Sequence, residues 1–236
     1  MTADVVAGRA PNARAASLDL ARDGAQCFAG RLDGVVLSAV EHAFDAQEAK
    51  PGVRLYSDIE PLRALLRPVG ALARDELGPE ARPVRILLFN KRPGMNWALG
   101  LHQDRTIAVA ERRDTDGFGP WSIKNGQPRV QPPQAIIDRM LTMRVHLDDT
   151  GEDAAPLLVL PGSHRLGRLS EADIAATADL ANPVACLARR GDVWVYATAI
   201  VHGSDAFRAR EGQRRVLQID YSADNLPGGL EWALQL

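Results

Sequence analysis

The sequence predicts a mainly β protein with helices packed against it, and three observations carry that expectation. After Pro83 the chain breaks into short apolar runs punctuated by turn clusters such as Lys91-Arg92-Pro93-Gly94 and Pro161-Gly162. Before Pro83, apolar residues recur at spacings of three and four, the period of a helix. No repeat of fixed period runs through either part, which argues against a solenoid or propeller. The C-terminal two-thirds therefore reads as an all-β sandwich or barrel with helices outside it, within one domain. Residues 1–82 are expected to be its mainly helical part and 83–223 its β core.

Taken in order, residues 1 to about 31 are rich in Ala, Gly and Arg with little periodicity, and the first dozen read as a mobile end. From Asp33 to Glu48, Val36, Leu37, Val40, Ala43 and Phe44 form a helical stripe that Asp33 is placed to cap. Ser57-Asp58-Ile59-Glu60 has the capping-box form, so a second helix is expected from Ser57 through Leu72, with a kink or break at Pro68. Strands are expected at 84–90, 139–148, 157–160, 184–188, 193–198 and 214–222. Between Glu111 and Pro133 lies the longest irregular stretch. Loops of that length in a compact domain are commonly lids or binding loops, and this one is expected to be a lid carrying Phe118 and Trp121.

The chain has 236 residues, 46% hydrophobic and 25% charged, with a formal charge of -2, so neither nucleic acid nor anionic lipid is an expected partner. Cys27 and Cys186 lack any metal-binding or disulfide-framework spacing. The N-terminus lacks the basic and apolar regions of an export signal, and no later stretch is apolar enough to span a membrane. A cytoplasmic protein acting on a small molecule is the expectation.

Among the five histidines, His102 has Asp104 two residues on, and on an extended segment the two side chains point the same way. His202, after the apolar run from Asp192 to Val201, could return a second imidazole to that face. Two histidines and one carboxylate hold non-haem Fe(II) while leaving coordination positions open. By spacing alone, His146-Leu147-Asp148 is an equal rival, although it runs into an acidic turn where its carboxylates would be solvated or cap the turn.

The ordered set of His102-Gln103-Asp104, Asn90 to Gly94, Val159 to His164, and Gly191 to Ser204 followed by Arg214-Arg215 resembles the phytanoyl-CoA dioxygenase family of Fe(II)/2-oxoglutarate oxygenases, over about residues 84 to 222. The resemblance implies a double-stranded β-helix (a jelly roll, cupin-like) with N-terminal helices. It also implies iron held by His102, Asp104 and His202, which decides the rivalry against His146. It implies 2-oxoglutarate and O2 as cosubstrates, with succinate and CO2 released as a C–H bond of the substrate is hydroxylated. Arg214 is the expected partner of the far 2-oxoglutarate carboxylate, since a guanidinium fork suits it. Alternation along the strand instead groups Arg215 with Leu217, Ile219 and Tyr221. Asn90 and Ser204 are expected to bind the cosubstrate, with His164 and Arg144 nearby; Trp97, Phe118 and Trp121 would shield the site and contact substrate. The carboxylate at 104 argues against a halogenating variant. Two departures from the family pattern stand out: Ala154-Ala155 occupy a place where Asn-Gly is common, and the gap from His202 to the arginine is a residue longer. The competing functions are a non-catalytic cupin-like binding protein and a zinc hydrolase that activates water with the same three ligands.

Overall fold

The computed structural model describes residues 18–45, 52–55 and 62–234. In chain order it runs α1 (Leu20–Asp23), β1 (Ala25–Phe28), α2 (Gly34–Asp45), β2 (Gly52–Leu55), α3 (Arg63–Leu77), β3 (Arg82–Lys91), β4 (Leu99–His102) and β5 (Ile107–Ala108). Then come β6 (Trp121–Lys124), β7 (Gln127–Val130), α4 (Gln134–Ile137), β8 (Met140–His146), β9 (Leu157–Val159), α5 (Glu171–Leu180), β10 (Val184–Cys186), β11 (Val193–Ala197), β12 (His202–Ser204) and β13 (Arg214–Ser222). A six-stranded antiparallel sheet has the order β1-β11-β8-β13-β3-β2, and a four-stranded sheet the order β10-β9-β12-β4. The two sheets form the jelly roll, with β11 contributing Trp194 and Tyr196 to a core shared with Leu157, Val159 and Cys186 of the smaller sheet.

The helices cover the outer face of the large sheet. Leu37, Val40 and Phe44 of α2 and Leu65, Val69 and Leu72 of α3 pack on Ile86, Leu88, Met143, Val145, Leu217 and Ile219. Burying a stripe of this kind stabilises at about 25 cal/mol per Å² of apolar surface. Asp33 caps α2 as expected, accepting from the backbone N–H of Val35 and Val36 at 3.0 Å each. Pro68 lies inside an unbroken α3, and the capping box at Ser57 falls outside the described residues.

The N-terminal part is not purely a helical layer. β1 pairs with β11 and β2 with β3, so it supplies both edge strands of the large sheet. The expected lid also differs from the sequence reading. Residues 121–130 form a hairpin, with Asn125 at φ 54° and Gly126 at φ 77°, the two positive φ values a tight two-residue hairpin turn demands. β5 joins the hairpin as a third strand.

Candidate metal centre and cosubstrate pocket

His102 ends β4 and His202 begins β12, and the two are direct partners in the register of those strands. Their ring centroids are 4.5 Å apart. Gly203 permits the approach, because a Cβ there would meet the carbonyl oxygen of Leu99 at 2.8 Å. Between His102 and Asp104, Gln103 turns the other way and is pinned at both ends of its amide. Its Nε2 donates to the carbonyls of Ala199 (2.8 Å) and Gly167 (2.9 Å), and its Oε1 accepts from the Leu169 N–H (2.9 Å). The middle residue of the motif thus anchors the backbone that aims its neighbours.

One ligand atom from each of His102, Asp104 and His202 lies within 4.8 Å of the others, the only such group of metal-binding side chains among the described residues. Each imidazole already uses Nδ1 on a carbonyl, His102 on Gly100 at 2.8 Å and His202 on Ile200 at 3.0 Å. Nδ1 is therefore the protonated nitrogen, and Nε2 keeps its lone pair for a metal. Burial drives His202 down to about 4, against the pull of Asp104, so the ring is neutral and ready to coordinate. Burial pushes the Asp104 carboxyl up, but Arg85, His202 and His102 together outweigh it and hold it below the usual carboxylate range. Arg85 grips Asp104 Oδ2 through Nη2 at 2.7 Å and binds the buried Asp220 through Nε. Asp220 also accepts from Thr142 Oγ1 at 3.1 Å. The donor set fits a mononuclear divalent metal.

A second cluster lies deeper between the sheets. Strand register decides its membership: Lys91 pairs with Arg214 across β3 and β13, and Gln218 with Arg144 across β13 and β8. All four side chains turn inward. Lys91 Nζ donates to Ser204 Oγ and to the Asp205 carbonyl, each at 2.8 Å, and lies 4.8 Å from the ring centre of Trp97. Arg144 donates to Gln218 Oε1 at 3.1 Å and stands over Phe89 and Tyr196. Arg214 donates from Nη1 to the Ala155 carbonyl at 2.6 Å, while its Nε is buried with no partner. Ala155 presents that carbonyl from φ 53°, the left-handed conformation a glycine would take, so this departure from the family pattern keeps the turn. Burial first, then Arg214 and Arg144, bring Lys91 down to about 7; burial first, then Arg144, brings Arg214 to about 9.

The sequence expectations divide accordingly. His102, Asp104 and His202 come together. Arg214, Arg144, Ser204 and Trp97 meet around Lys91. Arg215 faces outward, donating to Asp148 at 2.8 Å and to Glu41 of α2 at 3.0 Å. The alternation that joins Arg215 to Leu217 and Ile219 holds, but it groups them on the helix-covered side. Asn90 pairs with Arg215 and shares that outer side, so it is displaced from the pocket by its neighbour Lys91. His164 lies over Gly24, where a Cβ would come within 2.3 Å of its Nδ1, and not among the pocket cations. Phe118 and Trp121 are partly buried and pack against an apolar cluster of Ile107, Val130, Ile136 and Trp232. The rival motif also separates: His146 turns inward with Nδ1 near Thr150 at 3.0 Å, whereas Asp148 is held by Arg215.

Arg85 belongs to no motif, and Lys91 lies within the Asn90 to Gly94 segment, which does not single it out. The signal for Lys91 is parity along a strand, since it stands two and four residues from the inward Phe89 and Leu87 and opposite Arg214.

A jelly roll with a two-histidine, one-carboxylate group between its sheets is the architecture of a mononuclear iron oxygenase. Residues 37–216 match the family model described as phytanoyl-CoA dioxygenase, and the chain belongs to that family of Fe(II)/2-oxoglutarate-dependent oxygenases. The fold is similar to that of HygX from Streptomyces hygroscopicus, crystallised with nickel and 2-oxoglutarate bound (TM-score 0.58, 17% identity, 86% of this chain and 83% of that chain covered). It is also similar to SnoK, a non-haem α-ketoglutarate-dependent carbocyclase from nogalamycin biosynthesis (TM-score 0.63, 18% identity, 91% and 86% covered). A third similar structure is apo EctD from S. alaskensis (TM-score 0.60, 19% identity, 89% and 76% covered). Compared by sequence with curated proteins, the chain has no match.

Proposed function

We propose that this chain hydroxylates an unactivated C–H bond of a small molecule in the cytoplasm, using Fe(II) held by His102, Asp104 and His202 and 2-oxoglutarate seated on Lys91, Arg144, Arg214 and Ser204. The observation that carries the reading is the inward pocket itself. Three cations converge there with no ion pair to any carboxylate among the described residues: the Asp205 carboxylate acts on Lys91 only through space, and the inward Asp104 and Asp220 are both engaged by Arg85. Burying unpaired charge is costly, and a dianionic keto acid is the ligand that relieves it. The partnerless Nε of Arg214 gives the far carboxylate a donor that no protein group uses.

When bound, the iron and 2-oxoglutarate supply the oxidising power, and the protein supplies binding and orientation. Arg85 fixes which oxygen of Asp104 is free for the metal. The two Nδ1–carbonyl hydrogen bonds fix both imidazole planes. Phe89, Trp97 and Tyr196 wall the cosubstrate pocket with aromatic surface. Carbocyclase chemistry, the activity ascribed to SnoK, is an alternative outcome of attack at carbon, and product analysis distinguishes it from hydroxylation.

The test is anaerobic titration of the apoprotein with Fe(II) and 2-oxoglutarate. The expected result is a weak visible band near ~500 nm from the ferrous keto-acid chelate. His102→Ala should abolish it. Arg214→Ala should require about 100-fold more 2-oxoglutarate, the loss appropriate to one buried charge-assisted contact. Absence of the band with iron bound, together with O2-independent product formation by the zinc form, would instead support the hydrolase.

A further inference from the structure

The hairpin β6–β7 has two faces of opposite character. Ile107, Trp121 and Val130 turn into the apolar cluster with Trp232. The register sets Ala108 opposite Arg129, Arg129 opposite Ser122 and Gln127 opposite Lys124, so Arg129 and Lys124 share the other face. Arg129 is only 7% exposed, yet its Nε and Nη2 have no hydrogen-bond partner, and no ion pair involves it among the described residues. Its Nη1 reaches Thr106 Oγ1 at 3.4 Å, two residues beyond Asp104. Lys124 is exposed and lies in the field of Arg54, Arg129 and Arg85, with Asp104 the opposing charge. Arg54 foremost, then partial burial, hold its ammonium below the ordinary lysine value.

This cationic group is separate from the Lys91, Arg144 and Arg214 pocket. It sits on the Arg85–Asp104 side of the metal site. The carboxylate that acts on it among the described residues, Asp104, is engaged by Arg85. A buried guanidinium with two idle donors is costly in the resting protein, and an apolar or cationic ligand would leave it so.

We propose that Arg129 and Lys124 form the anion-binding part of the substrate site, so that the substrate carries a carboxylate or phosphate group which these side chains seat beside the metal triad. The proposal rests on the oxygenase reading above. The planar fork of Arg129 provides paired donors for two oxygens of such a group. Lys124, at the exposed tip of the hairpin, adds long-range attraction at the entrance.

The test uses protein loaded anaerobically with Fe(II) and saturating 2-oxoglutarate, titrated at constant ionic strength with benzoate, phenyl phosphate and neutral benzamide. Binding is read from perturbation of the visible band and from the thermal unfolding midpoint. The expected result is saturable binding of at least one anion and none of benzamide. Affinity for that anion should fall about tenfold or more in Arg129→Met and less in Lys124→Met, while the 2-oxoglutarate titration is unchanged. The comparison of benzoate with phenyl phosphate tells a carboxylate site from a phosphate site. Without any anion, Arg129→Met should melt no lower than wild type, because the lost guanidinium leaves behind only the long 3.4 Å contact to the Thr106 hydroxyl and removes two idle buried donors. Equal anion binding by wild type and Arg129→Met, binding of benzamide as tight as benzoate, or no anion binding at all would overturn the proposal. So would an Arg129→Met protein that melts well below wild type. The unfolding midpoint reads anion binding even if no visible band forms, so failure of the oxygenase reading is distinguishable from failure of this one.

Discussion

Along β13, Leu217, Ile219 and Tyr221 face α2 and α3, whereas Arg214, Gln218 and Asp220 face the second sheet. Both sides are buried, and successive residues of one strand meet opposite demands. Apart from Arg215, which is paired with Asp148 and Glu41, the outer side of β13 is apolar in character and closes against helices. The inner side collects Arg85, Lys91, Thr142, Arg144, His146, Arg214, Gln218 and Asp220. That side is itself divided: Arg85, Asp104, Asp220 and Thr142 satisfy one another, while Lys91, Arg144 and Arg214 form no ion pair with a carboxylate among the described residues. A self-satisfied network fixes the Asp104 carboxylate in the group that could hold a metal. An unsatisfied one awaits a charge from outside. The contrast separates structural polarity from binding polarity without any appeal to motif.

The largest effect is expected at the satisfied network. Arg85→Gln leaves Asp220 buried without its cation and should cost about 3–5 kcal/mol of stability. It should also weaken Fe(II) binding about 10- to 100-fold, because Asp104 loses its orienting partner. Chemical denaturation and metal titration measure the two separately, and a variant that binds iron normally would remove Arg85 from its positioning role.

A smaller contrast pits the two faces of β13 against each other. Leu217→Ala on the outer face should cost about 2–5 kcal/mol and leave the 2-oxoglutarate affinity of the folded protein intact. Arg214→Met on the inner face should do the reverse, with a smaller loss of stability, because losing the bond from Nη1 to the Ala155 carbonyl is offset by removing a buried charge that has no ion pair and an unpartnered Nε. Melting curves and cosubstrate titrations on both variants check this, and comparable destabilisation by the two would erase the distinction.

The mildest effect is in pH. Lys91 titrates near 7 in the folded protein because burial, Arg214 and Arg144 depress it. A dianionic ligand favours the protonated form, so 2-oxoglutarate affinity should be greatest below pH 7 and fall by up to about tenfold per pH unit above it. Because the unfolded chain binds the proton more tightly, the ligand-free protein should gain stability as pH rises from about 7 toward the ordinary lysine range. Lys91→Met should flatten both profiles. A pH-independent wild type would separate Lys91 from the cosubstrate.

How much of this is legible in the sequence depends on the range of the signal. Asp33 capping α2 and the stripe of Leu37, Val40 and Phe44 are local, and the sequence reading matches the structure there. His102 and Asp104 are close along the chain, and spacing marks them as a candidate pair, equally with His146 and Asp148, until the family resemblance separates the two. The Asn125-Gly126 hairpin is equally local, yet the surrounding prolines and glycines give 111–133 the texture of a loop. The choice between Asn90 and Lys91 needs the parity of β3, which a motif containing both residues does not reveal.

By itself the sequence determined the strand-rich core, its helical cover and the residues able to hold a metal, because periodicity, caps and ligand spacing act over a few residues. Only the tertiary structure decided which arginine of the 214–215 pair faces inward, that Lys91 rather than Asn90 enters the pocket, and that Trp121 packs against the apolar cluster of Ile107, Val130 and Trp232. Those outcomes depend on the register between strands far apart in the chain, and a shift of one residue would exchange the two faces throughout.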